Sequence, residues 1–302
     1  MQITETNTIK TLIFFDIFNY PLTLLEIFKY IENEDNILEI KQALEDSNKV
    51  SCKNGFYFLT NREKIIDLRF ERYNIAEKKY TKRLKYIKLL AMLPYVKMIM
   101  TVNSIAYLNC PDNNDIDMAI VTSKNKIWTA RFFVALVLKT LNLRPTETKK
   151  KDRLCPSFFF SEEDMNLEKL KLNNEDVFTK YWVSQFYPVF QEENIYSKFK
   201  KDNVWLKEQM PNNLDITPPQ KRSVKLNSFF RLKKKIAEKI VSLIPEKTYK
   251  KFELKNLPDN LKNMANKSTS VVITDQILKF HDNDIRPRVI KDFNEKISQT
   301  IN

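Results

Sequence analysis

The chain has 302 residues and 43% of them are hydrophobic, which excludes an intrinsically disordered protein and allows two or three domains with separate cores. Its three cysteines are far apart and have no CxxC spacing, which excludes a disulfide framework or a cysteine zinc site and predicts the reducing cytoplasm. The longest apolar run, residues 132–138, is shorter than the roughly 20 residues that a membrane span requires, so no membrane partner is predicted.

The net charge of +13 is concentrated in two segments. Residues 1–59 contain five Lys/Arg and nine Asp/Glu, a net of −4. Residues 60–100 contain eleven basic and four acidic side chains, a net of +7, and residues 219–256 contain twelve and three, a net of +9. Such segments attract polyanions, so they predict a nucleic-acid partner. The alternative is that they form the solvated faces of lysine-rich helices.

Residues 1–60 predict a winged-helix-like unit of three short helices followed by a β-hairpin. Thr23 is a candidate N-cap with Glu26 as its capping-box partner, and Asn36 is a candidate N-cap for the third helix. The dipeptide Asn54-Gly55, between two short apolar segments, is a strong signal for a tight hairpin turn.

The third helix of this unit has the wrong charge for reading DNA. It contains Glu39, Glu45 and Asp46 against Lys41 alone. Winged helices that read DNA place a recognition helix in the major groove, where acidic side chains would meet phosphates. The unit is therefore predicted to pack against the rest of the chain or to contact a protein partner.

Residues 61–94 predict one long connecting helix, which Pro94 ends. Strands and helices then alternate over residues 95–175, which predicts a small α/β core. The expected elements are a strand at 96–102, a helical turn at 104–108, a strand at 116–121, a helix at 128–141 and a strand at 154–160.

Residues 176–302 predict a mostly helical C-terminal region, with a strand at the end of residues 270–280. The expected helices cover residues 177–189, 196–210, 223–243 and 288–301. The whole chain is thus expected to be α/β (α+β), with a small mixed-sheet core between the winged-helix-like unit and the helical region.

The chemistry of the chain centres on Asp115 and Asp117. Residues two apart in a strand point to the same face, so their carboxylates are expected to lie side by side. Two adjacent carboxylates repel each other unless a cation lies between them, and Mg²⁺ is the cation that prefers such oxygen ligands. The alternative is a pair of solvent-facing aspartates at the start of a strand.

With Asn103-Ser104 about ten residues before Asp115-Ile116-Asp117, the chain resembles the nucleotidyltransferase superfamily, which has a polymerase-beta-like fold. Residues 15–23, 128–131 and 280–284 are similar to bacterial members that have an N-terminal winged helix. The resemblance implies transfer of a nucleoside monophosphate from a nucleoside triphosphate to an acceptor hydroxyl. It implies Mg²⁺ at Asp115 and Asp117, and nucleotide binding by Asn103 and Ser104.

The chain departs from the pattern of that superfamily in two places. Asn103 stands where the family has glycine, and asparagine is among the few residues that tolerate a left-handed backbone. The later strand lacks the usual third carboxylate, so Glu162, which follows it, is the candidate for that catalytic role. Lys124 and Lys126 are candidates for binding the phosphates of the nucleotide, or ordinary loop lysines.

Two other functions also fit the sequence. The missing carboxylate and the basic segments fit a nucleic-acid-binding regulator with a decayed catalytic core, and such cores also occur as toxin–antitoxin components. The single histidine, His281, precedes two aspartates. A structural or surface role is favoured for it, because no second histidine exists to build a metal cluster.

Overall fold

The computed structural model describes residues 3–213, 216 and 218–301. The strands among these residues are β1 (Leu22–Thr23), β2 (Val50–Lys53), β3 (Phe56–Leu59), β4 (Val96–Thr101), β5 (Ile116–Thr122), β6 (Leu154–Ser161), β7 (Tyr187–Gln191), β8 (Val271–Ile273) and β9 (Ile277–Phe280). The α-helices are α1 (Ile3–Asp16), α2 (Leu24–Tyr30), α3 (Ile37–Asp46), α4 (Ile65–Ala91), α5 (Ile127–Thr140), α6 (Val177–Ser184), α7 (Ile195–Asp202), α8 (Trp205–Gln209), α9 (Ser228–Val241), α10 (Glu246–Lys255), α11 (Asp259–Met264) and α12 (Arg286–Thr300). The expected α+β class is confirmed.

The N-terminal unit forms from local signals. Thr23 and Glu26 make the predicted capping box at the start of α2, and Asn36 with Glu39 makes a second one at the start of α3. The turn between β2 and β3 places Asn54 and its glycine neighbour at positive φ, 54° and 77°. Both residue types tolerate that conformation, so the hairpin has the turn that its sequence predicts. A three-stranded sheet with the order β1-β3-β2 completes the unit.

Helix α4 ties the N-terminal unit to the rest of the chain. The Arg69 guanidinium donates to both carboxylate oxygens of Glu26 at 2.8 Å. Arg72 donates to the carbonyl oxygen of Phe18 at 3.1 Å and to the side chain of Asn109 at 3.0 Å. Arg69 contacts the N-terminal unit, and Arg72 contacts both that unit and the core. Charge-assisted hydrogen bonds therefore hold the N-terminal unit against the core. Whether it also contacts a protein partner stays a prediction.

The central sheet has six strands in the order β7-β4-β5-β6-β9-β8. The β5–β6 pair is parallel and the other neighbouring pairs are antiparallel, so the predicted mixed sheet is confirmed. Three of its strands, β7, β8 and β9, come from residues beyond 175. The sheet therefore crosses the boundary that was predicted between the core and the helical region.

Two helices of the C-terminal region differ from the prediction. The helix expected over residues 177–189 ends at Ser184, and the chain continues as the edge strand β7, where Pro188 is tolerated. The helix expected over residues 196–210 is divided into α7 and α8 near Asn203. The buried Asn203 amide donates to the carbonyl oxygen of Met165 at 2.6 Å, a tertiary bond that residue spacing does not reveal.

Helices cover the central sheet on both faces. One face packs against α1, α6 and α12, and the other packs against α4, α5, α9 and α10. The first face presents Met98, Met100, Ala119, Val121, Phe158 and Phe160. Among the residues that the structure describes, no helix combines the length and the apolar character needed to cross a membrane.

Candidate metal centre

Three potential ligands meet where β5 begins. Asp115 precedes the strand and Asp117 lies within it, and Asp117 is in register with Cys155 of the parallel strand β6. A carboxylate oxygen of each aspartate and the Cys155 sulfur all lie within 4.8 Å of one another, and all three residues are half-buried. This Asp–Asp–Cys group can hold a metal ion.

The electrostatics of the group favour a bound cation. Burial, together with the neighbouring Asp115 carboxylate, raises the pKa of Asp117 to about 7. Burial also raises the pKa of Asp115. The pKa of the Cys155 thiol is well above its usual value because of burial and the two carboxylates. At neutral pH the thiol is therefore protonated, and the two aspartates ionise together only at a free-energy cost that a cation would remove.

Asn103 positions the loop beside these aspartates. Its φ of 57° lies in the left-handed region, as its sequence position predicted, and it begins a short 3-10 turn. Its side-chain oxygen accepts a hydrogen bond from the indole Nε1 of Trp182 at 2.8 Å. A hydrogen bond from its side chain to Asp117 also favours the ionised carboxylate and opposes the rise in pKa. The loop is thus connected to the Asp–Asp–Cys group directly.

A cavity of about 480 Å³ opens beside the group. Its walls come from α1, from the loop and strands around Asp117, from α6, and from the segment that joins β9 to α12. Asn103, Ser104, Asp117 and Cys155 all line it. The aromatic residues in its wall are Phe14, Phe15, Phe18, Tyr107, Phe178, Trp182 and Phe280. The chain therefore brings its N-terminal unit and its C-terminal strand to one site.

The basic side chains of the cavity are ones that the sequence did not single out. Lys279, Arg286 and Arg288 line it. Burial, followed by the nearby Arg286, lowers the pKa of Lys279 to about 7. This lysine is therefore partly neutral at physiological pH, and an anion in the cavity would favour its charged form.

His281, for which the sequence favoured a structural or surface role, also lines the cavity. Burial lowers its pKa to about 3, so its imidazole is neutral near pH 7. Its Nε2 lies 3.2 Å from the Oγ of Ser157, at hydrogen-bond distance. The similarity of residues 280–284 to the bacterial nucleotidyltransferases was the one sequence signal that pointed to this segment.

Glu162, Lys124 and Lys126 do not fit their predicted roles. β5 and β6 run parallel, so Glu162 lies beyond the carboxyl ends of both strands, whereas Asp117 lies near the opposite ends. The strand from Asp117 to Thr122 rises by about 16 Å, so the length of β5 separates Glu162 from the aspartate pair. Glu162 accepts from the backbone of Lys124 at 3.1 Å, and the Lys126 ammonium lies 5.1 Å from the centre of the Tyr95 ring.

We expect Asn103→Gly to lower the free energy of unfolding by about 1–3 kcal/mol. Glycine removes the cost of the left-handed backbone, but the buried Trp182 indole N–H loses its acceptor, which is the larger effect. Urea denaturation measures the difference. The matched control is Asn125→Gly, because Asn125 is exposed and has a φ of 53°. Equal stabilities of the two variants would show that the bond to Trp182 contributes nothing.

Comparison of the chain with protein-family models, with curated proteins and with solved structures gives no match.

Proposed function

We propose that the cavity binds a nucleoside triphosphate with Mg²⁺, and that the protein transfers a nucleoside monophosphate to an acceptor hydroxyl. One observation carries the proposal: the loop of Asn103 and Ser104, with Asn103 at positive φ, lines the same cavity as Asp117, beside Asp115. A phosphate-binding loop next to a pair of carboxylates is the arrangement that metal-dependent phosphoryl chemistry requires.

The donor atoms fit Mg²⁺. Asp115 and Asp117 supply hard carboxylate oxygens, and Mg²⁺ in proteins commonly takes one or two carboxylates while its other positions hold water or phosphate oxygens. The protonated thiol of Cys155 is a poor ligand for this ion, so it is expected to neighbour the metal rather than bind it. When bound, Mg²⁺ would neutralise charge on the phosphates.

The cavity also suits the rest of a nucleotide. Its volume of about 480 Å³ lies within the range of small-molecule sites. Phe178 and Trp182 have nearly parallel rings in its wall, with centroids 6.4 Å apart, and provide apolar surface for a base. Lys279 and the exposed Arg288 supply positive charge for phosphates.

In the proposed reaction, the acceptor hydroxyl oxygen attacks the α-phosphorus, and the bond from that phosphorus to the bridging oxygen of pyrophosphate breaks. The hydroxyl proton must pass to a base. No carboxylate of β6 is available for this role, and Cys155, which stands beside Asp117, is a neutral thiol. A neutral thiol in place of a base favours a second candidate function, that of a regulator that binds the nucleotide without transferring its monophosphate.

Nucleic-acid binding through the basic segments receives less support. Lys79 pairs with Asp152 at 3.1 Å, and Lys234 pairs with Glu192 at 2.7 Å. Arg222 pairs with Glu77. Internal ion pairs of this kind leave fewer cations to neutralise phosphates, so the net charges of the two segments overstate their attraction for a polyanion.

The test is a titration of the protein with a fluorescent ATP analogue, with and without Mg²⁺. We expect at least about tenfold tighter binding with the metal, because the two carboxylates otherwise repel the phosphates. Equal affinity with Mg²⁺ and with EDTA would contradict the proposal. Release of pyrophosphate in the presence of candidate acceptors then distinguishes the two candidate functions. Pyrophosphate release shows transfer, and its absence shows binding alone, the function that the neutral thiol of Cys155 favours.

A further inference from the structure

Helix α9 presents an apolar stripe to solvent. Its side chains recur at intervals of three and four residues, which places them on one face of the helix and of the turn that follows it. Their exposed fractions are Phe229 57%, Leu232 58%, Ile236 50%, Ile240 63% and Leu243 82%. Single exposed apolar residues are ordinary, but an aligned row of five marks an interaction surface.

The opposite face of α9 is anchored to the core. The Lys234 side chain is 2% exposed, and its ammonium donates to the carbonyl oxygen of Ala91 at 3.2 Å and to the Glu192 carboxylate at 2.7 Å. The Tyr95 backbone N–H donates to the Glu238 carboxylate at 2.9 Å, and the Tyr95 hydroxyl donates to the Glu238 carbonyl oxygen at 2.7 Å. These bonds prevent the helix from turning its stripe inward.

Exposed lysines flank the stripe. At 100° per residue, Lys233 lies on one side of the apolar row, and Lys235 and Lys239 lie on the other. A second copy of the chain would bring these lysines against one another, so the charge disfavours pairing of two stripes. The surface calls for an occupant that is both apolar and anionic.

We propose that α9 binds the surface of an anionic lipid bilayer and lies parallel to it. The apolar stripe enters the boundary between headgroups and acyl chains, and the flanking lysines contact lipid phosphates and carboxylates. A convex apolar row between basic flanks is the pattern of helices that bind in the plane of a membrane interface. The binding is peripheral, and it is independent of the function proposed for the cavity.

The experiment is flotation of the full chain with vesicles of phosphatidylcholine alone and of phosphatidylcholine with phosphatidylserine. We expect binding to the anionic vesicles that weakens as salt is raised. Replacing Leu232, Ile236 and Ile240 together by serine should lower the bound fraction by about tenfold or more, since the buried apolar area drives insertion. Replacing the three flanking lysines by glutamine should have a similar effect at low salt.

The matched control is Leu25→Ser with Leu38→Ser, because these leucines are 65% and 73% exposed on the acidic N-terminal unit. This variant should bind vesicles like the unchanged chain. Circular dichroism checks that each variant is folded. Absence of binding to anionic vesicles at low salt overturns the proposal, as does equal binding by the serine variant of the stripe. A stripe-dependent dimer or a stripe-dependent complex with DNA, without vesicle binding, would assign the surface to that other occupant.

Discussion

Asp117→Asn is expected to weaken binding of a Mg²⁺–nucleotide complex by about 100-fold or more. Loss of a residue that merely orients a metal ligand typically costs 10–100-fold, and Asp117 would be a ligand itself. The asparagine is nearly isosteric, so the fold should persist. The measurement is the fluorescent-nucleotide titration in Mg²⁺ at pH 7.5. Asp164→Asn is the control, because Asp164 lies beyond β6, away from the aspartate pair. Unchanged affinity of Asp117→Asn would remove the aspartate pair from the proposed site.

The same variant tests the electrostatics of the metal-free protein. The folded-state pKa of Asp117, about 7, lies above the ordinary value of 3.8. Between about pH 4 and pH 7 the folded protein therefore keeps a proton that the unfolded chain releases, so its stability falls as pH rises through that window. Above pH 7 this contribution no longer changes. Urea denaturation in EDTA should show a smaller decline from pH 5 to pH 7.5 for Asp117→Asn, and an identical decline would contradict the assignment.

Lys79→Met is expected to lower the free energy of unfolding by about 3 kcal/mol, the range for removing one partner of a buried ion pair. The Lys79 side chain is 2% exposed, and its ammonium is bonded to the Asp152 carboxylate at 3.1 Å. It also donates to the carbonyl oxygens of Asp112 at 2.8 Å and Asn114 at 2.7 Å. Since these carbonyls lie just before Asp115, the variant should also weaken nucleotide binding.

The matched control for Lys79→Met is Lys82→Met. Lys82 pairs with the same Asp152 carboxylate, but its side chain is 58% exposed. Solvent screens an exposed pair, so this substitution should change the free energy of unfolding by about 1 kcal/mol at most. Both variants are compared by urea denaturation at one pH. Equal losses would mean that the buried bonds of Lys79 to the loop add nothing to the stability of the site.

The sequence by itself determined the features that depend on near neighbours in the chain. The capping box at Thr23, the N-cap at Asn36 and the turn at Asn54 need only contacts within three residues, and all three formed as predicted. The left-handed φ of Asn103 agrees with the tolerance of asparagine for that backbone at the position where the resembled family has glycine. The side-by-side placement of Asp115 and Asp117 was expected from the alternation of side chains along a strand, and it is found with Asp115 just before β5 and Asp117 within it.

Only the tertiary structure decided which distant residues join these aspartates. Cys155, rather than Glu162, stands beside Asp117, because the parallel register of β5 and β6 depends on pairing between segments far apart in the chain. The same limit explains β7, since a short apolar run suits a buried helix or a strand equally well. Lys279 and His281 reach the cavity only because β9 adds to the edge of β6. Pairing of strands and packing of helices depend on the whole fold, so neither can be predicted from the spacing of residues along the chain.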